Sequence, residues 1–213
     1  MTSPKHQSSP SELSRLEEIF GLTHEAVQDI VMQGLLVRTT VSAHHPKTFA
    51  GTAQWAETVR ALRDKTVPSG WEALDVNNCP LVLHPNGVVM IAVQTGDRET
   101  GTSGIPSNRA PKGSVTEGAV VENFRQFCLF DEQDLPSIEA ANGRVLWVLL
   151  YHLANGEIRY ELSLPMEMIG GKIRTWQERI VFPAIRLDGS DIDMGERDDD
   201  NDIDVSIERR PKQ

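Results

Sequence analysis

A chain of 213 residues, 39% hydrophobic and 24% charged, holds enough apolar material for one ordinary domain, with at most a small accessory piece. Its net charge of −10 argues against a general DNA- or RNA-coating role, which needs cationic surface to displace counterions, but leaves room for a small local basic site. Two distant cysteines argue against a disulfide framework or structural zinc and point to the cytoplasm; the longest apolar run, Val145 to Ala154, is about half of what a bilayer needs.

Residues 1–11 are polar and expected to be disordered, and MTSPKHQSSP has no apolar stretch that would make a secretory signal. A single domain is expected over 12–187, with a helical hairpin at 12–36 and a core at 52–187. Ser14 and Glu17 have capping-box spacing, and Leu13, Leu16 and Phe20 share a helical face. Gly21 ends that helix. Thr23 can cap the next, whose inner stripe is Val27, Ile30 and Val31 and whose stop is Gly34. The pair has the outline of a helix-turn-helix. Its second helix, however, carries Glu25 and Asp29 and no lysine or arginine before Gly34, so a plain helical hairpin is the better reading.

After an irregular stretch, Trp55, Val59 and Leu62 repeat at helical spacing over 52–65. The segment PLVLHPNGVVMIAV then predicts a β-hairpin turning at Asn86-Gly87. Ser114 and Glu117 form a second capping-box pattern, opening a helix to Cys128 with Val120, Phe124 and Phe127 inward. Two further strands flank Asn155-Gly156. In the second, Ile158, Tyr160, Leu162 and Leu164 alternate with Arg159, Glu161 and Ser163, which predicts one buried and one solvated face. A last strand spans 172–185. The order implies an α+β fold: an antiparallel sheet of about five strands with helices on one face.

The chemistry concentrates in the polar connection 95–117. Loops of that length are functional or disordered more often than short ones. Asp97, Arg98, Glu99, Thr100, Arg109, Lys112, Ser114 and Thr116 supply charges and hydroxyls, and Lys112 precedes a helix N-terminus, where free amides favour an anion. The order Lys-Gly-Ser, without an upstream glycine at the required spacing, is not a nucleoside-triphosphate loop. Asp97 and Glu99, with Glu157 and Glu161 on strands, can be imagined around one metal, but nothing fixes their geometry and no metal or cofactor is expected; Asp97 or Glu99 would serve as metal ligand or base only if the loop belongs to an enzyme. His152, inside an apolar strand, reads as a satisfied core histidine, and pairing it with Cys128 as base and nucleophile lacks a third group.

Residues 188–213 carry ten acids against four bases, a net of −6, leaving −4 for the other residues. This tail is expected to be largely disordered and does not match a calcium loop. Within it Ile203, Val205 and Ile207 alternate with polar residues, as a strand added to a sheet edge would.

The runs SAHHPKTFAGTAQWAETVRALRDK, AVQTGDRETG, PKGSVTEGAV, YELSLP and TWQERIVFP together resemble an uncharacterised bacterial protein family of the kind encoded on integrative elements and plasmids. The resemblance spans most of 22–187 and implies a cytosolic accessory protein without naming an activity. Two functions are therefore expected in contest. One is a non-enzymatic protein that presents the 95–117 loop and acidic tail to a protein partner, which could be basic. The other is an enzyme or sensor acting on a phosphorylated small molecule or nucleic-acid end around Lys112 and Ser114.

Overall fold

The computed structural model describes residues 10–128, 143–154 and 156–187, with the backbone alone for 10–13 and 124–128. Three helices come first: α1 (Pro10–Phe20), α2 (His24–Thr39) and α3 (Phe49–Thr66). They are followed by β1 (Glu72–Val76), β2 (Cys79–Leu83), β3 (Val89–Thr95), α4 (Ser114–Cys128), β4 (Val145–Ala154), β5 (Glu157–Ile169), β6 (Lys172–Val181) and a short β7 (Ile185–Arg186). The fold is mixed α+β. The described strands form one sheet in the order β1-β2-β3-β4-β5-β6, with β7 also pairing β5. Every pair is antiparallel except β3 with β4, which run parallel from Val89↔Val145 to Thr95↔Tyr151.

That parallel pair corrects the expected one-sided layer. A parallel neighbour can be reached only by crossing over a face of the sheet, and α4 is part of that crossover. One face packs Leu16, Phe20, Val27, Ile30, Val31, Val59 and Leu62 of α1–α3 on Ile91, Val93, Trp147, Leu149, Tyr160 and Leu162. The opposite face gathers Leu81, Met90, Ala92, Leu146, Val148, Leu150 and Ile173, with Ala119 of α4 and Trp176 against them. Strands β3 and β4 are consequently buried on both sides, as their near-continuous apolar runs require.

The helices also pair differently from expectation. Helix α1 starts at Pro10, so Ser14 lies inside it rather than capping it. It docks on the sheet: Phe20 meets Trp147 edge-on at 5.0 Å, and Arg15 forks onto the Glu178 carboxylate at 2.5 and 2.9 Å. Thr23 does cap α2, accepting from the Ala26 amide at 3.2 Å. The packed helical pair is α2 with α3. Helix α2 does not stop at Gly34 but runs five residues further, because Gly34 is where α3 comes closest. A Cβ there would lie 2.0 Å from Thr58 Oγ1 and 2.8 Å from the Gln54 carbonyl. Gly34→Ala should therefore destabilise the protein by about 2 kcal/mol, overpacking outweighing the helix-propensity gain. Thermal melts should show partial rescue in Gly34→Ala with Thr58→Ala, and a single variant as stable as wild type would contradict the close approach.

Strand β1 was not foreseen. It returns through Asn77 (φ 48°) and Asn78 (φ 64°), a two-residue turn with both central residues left-handed, as tight hairpins favour. Beyond 164, β5 continues past a register shift at Pro165. No described helix is long and apolar enough to cross a membrane.

Candidate anion-binding cleft

The connection from β3 to α4 divides into two halves with different physical roles. The first, about 96–109, folds down on the sheet. Asp97 organises it, its carboxylate accepting from the amides of Glu99 (3.1 Å) and Ser107 (3.0 Å). Asn108 is fully buried; its amide donates to Ala110 O (2.6 Å) and Gly171 O (2.8 Å), and its Oδ1 accepts from the Ile173 amide (2.8 Å). Lys172 donates from Nζ to the carbonyls of Asn108 and Arg109, and Trp176 Nε1 to Pro106 O.

Beneath this half lies an ion pair. Glu161 is fully buried, in contrast to the solvated face read from the alternation of β5, because the folded loop covers it. Its carboxylate accepts from Arg179 (2.5 and 3.2 Å), from Ser163 Oγ (3.1 Å) and from the Gly101 amide (3.1 Å). Arg179 also donates to Gly104 O (2.6 Å) and Thr102 O (3.1 Å). Both members of this ion pair are satisfied among the described residues, although the buried Thr100 hydroxyl has no partner there. This half of the loop is structure.

Among the expected site residues, then, Asp97 and Thr100 are loop architecture. Thr100 is buried against Gly96, while Arg98 and Glu99 form an exposed pair at 3.3 Å. Arg109 is half-buried with its amide on Thr95 O (2.8 Å), and its charge acts on His152 and Lys172. His152 itself is tied by Nδ1 to Gly96 O at 3.2 Å, and burial pushes its pKa below the usual histidine value, so it stays neutral in a structural role. No cluster of three potential metal ligands exists among the described residues. Residues Ile203, Val205 and Ile207, the acidic tail and the side chain of Cys128 lie outside the described residues.

The second half opens onto a cleft. Lys112, Ser114 and Thr116 line it together, with Trp55 of α3, Cys79 at the start of β2 and Gln94 near the end of β3. Its volume is about 230 Å³. The cavity exists because β2 parts from β3: their ladder runs from Leu83↔Met90 to Leu81↔Ala92, and the next residue toward the β1 turn is Pro80, which has no N–H to continue it. Released from its strand neighbour, the Val93 carbonyl is capped instead by the Trp55 indole N–H at 3.1 Å.

Two features give the cleft its chemistry. Its rim is the N-terminus of α4, whose first intrahelical bond runs from the Glu117 amide to Gly113 O, so Gly113 rather than Ser114 occupies the capping position. The amides before Glu117 have no acceptor within the helix and face outward with the positive dipole end. Lys112 adds a cation just ahead of them. Gln94 is 2% exposed, and among the described residues its Oε1 and Nε2, both buried, have no hydrogen-bond partner. A buried amide left unpaired costs on the order of 1–3 kcal/mol.

Cys79 does not make the cleft nucleophilic. Burial pushes its thiol above the ordinary value, against smaller downward pulls from Thr116, 3.9 Å away, and from Lys112. A thiol that stays protonated is inert. Sequence reasoning had found the lysine and both hydroxyls but not Gln94, Trp55 or Cys79. No protein-family model, curated protein or solved structure matches the chain.

Proposed function

We propose that the protein binds a small anionic molecule, a phosphate or carboxylate compound, in the cleft at the N-terminus of α4, and acts as a binding or sensing module for it. The observation that carries this reading is the first turn of α4, whose amides before Glu117 lack an acceptor within the helix and which lines one cleft together with Lys112. The carboxyl end of a parallel strand leading into a helix is also where open α/β sheets place anionic ligands.

The competing role, display of the 95–117 loop and acidic tail to a protein partner, loses one support. The first half of that loop is spent on internal hydrogen bonds. That role now rests on the tail and on the sequence resemblance to accessory proteins of mobile elements.

Thermal melts in inorganic phosphate against chloride, at matched ionic strength, test the proposal. Wild type should gain stability with phosphate. Lys112→Ala should remain folded and weaken binding about tenfold, the worth of one charge-assisted hydrogen bond. Ser114→Asp should leave α4 slightly more stable, by about 0.5 kcal/mol, because an acid suits a helix N-terminus, yet abolish phosphate binding by like-charge repulsion. Equal phosphate response in all three proteins would sink the anion site.

A further inference from the structure

We infer that the tip of the β5–β6 hairpin controls the anion cleft from outside it, with Gly171 as the positioning residue. The inference rests on the anion-binding reading and names what regulates that site. Gly171 does not line the cleft, yet it touches Lys112, which does. Its carbonyl accepts from the Lys112 amide at 2.9 Å and from Asn108 Nδ2 at 2.8 Å. The next two residues grip the same stretch. The Ile173 amide donates to Asn108 Oδ1 at 2.8 Å, and Lys172 Nζ donates to the carbonyls of Asn108 and Arg109. Five hydrogen bonds thus seat residues 108–112 on the hairpin tip.

The contact is too close for a side chain at 171. A Cβ there would lie 2.9 Å from the nitrogen and the oxygen of Lys112 and 2.9 Å from Pro111 Cβ. Backbone atoms cannot swing aside as the end of a side chain can, so Pro111 and Lys112 would have to move. Only Gly113 separates Lys112 from α4, and it holds the capping position, so a shift of Lys112 carries the outward-facing amides of the first turn with it. Hydrogen bonds weaken steeply with misalignment, so affinity falls although no residue lining the cleft has changed. Gly170 supplies the control within the same turn. It too is left-handed, with φ 59° against 75° at Gly171, but a Cβ there would meet nothing within 4 Å. Substitution at either position meets similar backbone strain; only at 171 does it reach Lys112.

Gly170→Asn and Gly171→Asn, which use a side chain that tolerates left-handed backbone, make the comparison in the full chain. In calorimetric titration with inorganic phosphate, Gly170→Asn should bind within about two-fold of wild type, as a distant, independent site does. Gly171→Asn should bind about five-fold or more weakly, the lower end of coupling between separate sites. Wild type alone gives a second test, which holds even if Gly171→Asn does not fold. Coupling is reciprocal, so saturating phosphate should slow hydrogen exchange at the Ile173 amide, which lies outside the cleft. Equal phosphate affinity in the two variants, or Ile173 exchange unchanged by phosphate, overturns the control by the hairpin tip and leaves the anion site standing. If wild type does not bind phosphate, both readings fall.

Discussion

Arg179→Met should cost the fold about 3 kcal/mol, lowering its melting temperature by roughly 6–12 °C, because the change strands a carboxylate with no access to water. Glu161 is fully buried and its principal counter-charge is Arg179. Removing one member of such a pair costs far more than the pair contributes, since the remaining charge keeps its desolvation penalty. The double variant Glu161→Leu with Arg179→Met should recover much of the loss. It should not recover the loop. The Thr102 and Gly104 carbonyls lose their partner in both variants, and the Gly101 amide loses its own in the double variant. Trypsin should then cut after the exposed Arg98, a bond that wild type protects. A single variant as stable as wild type would mean that the ion pair does not hold the loop down.

Asn123→Leu should be the second most damaging change, costing about 3 kcal/mol, since three buried backbone groups lose a partner and recover only part of it from rearrangement. Asn123 is fully buried on α4. It donates to Leu146 O (3.0 Å) and Pro165 O (2.9 Å) and accepts from the Leu146 amide (2.9 Å). One side chain thus ties the crossover helix to the start of β4 and to the irregularity in β5, where the ladder shifts register and leaves a carbonyl to be satisfied. Hydrogen exchange is the direct readout. The Leu146 amide should lose protection in Asn123→Leu well before the centre of β4 does, and protection unchanged at Leu146 would contradict this assignment.

How much of this was legible beforehand follows from the range of the interactions. Local signals read well. The Asn86-Gly87 hairpin, the Thr23 cap, the α4 boundaries and the apolar stripe Ile158, Tyr160, Leu162 and Leu164 are set by neighbours within a few residues. The turn at Asn77-Asn78 carried the same kind of signal and was passed over, so β1 was missed. Sheet coverage was also encoded: uninterrupted apolar runs in β3 and β4 belong to strands buried on both faces, and only the parallel pairing makes sense of them.

Other features were hidden by distance. Glu161 and Ser163 have the spacing of a solvated face, and only the return of residues 99–107 over β5 buries them. Gly34 reads as a helix stop because its contact, Thr58, lies on another helix. For the cleft, Lys112 and Ser114 were visible from helix-start chemistry, which is local. Gln94 was not, because a polar residue ending an apolar strand looks the same whether it meets solvent or sits unpaired under a helix. Pro80, which opens the notch by ending the β2–β3 ladder, gives its effect only once the register is known.

A ¹⁵N-edited NMR titration with inorganic phosphate tests the cleft most directly. The backbone amides of Ser114, Val115 and Thr116 should shift together and saturate at one ligand concentration in wild type, and should stay unmoved in Ser114→Asp. Stillness at all three positions in wild type would leave the cleft without an anion-binding role.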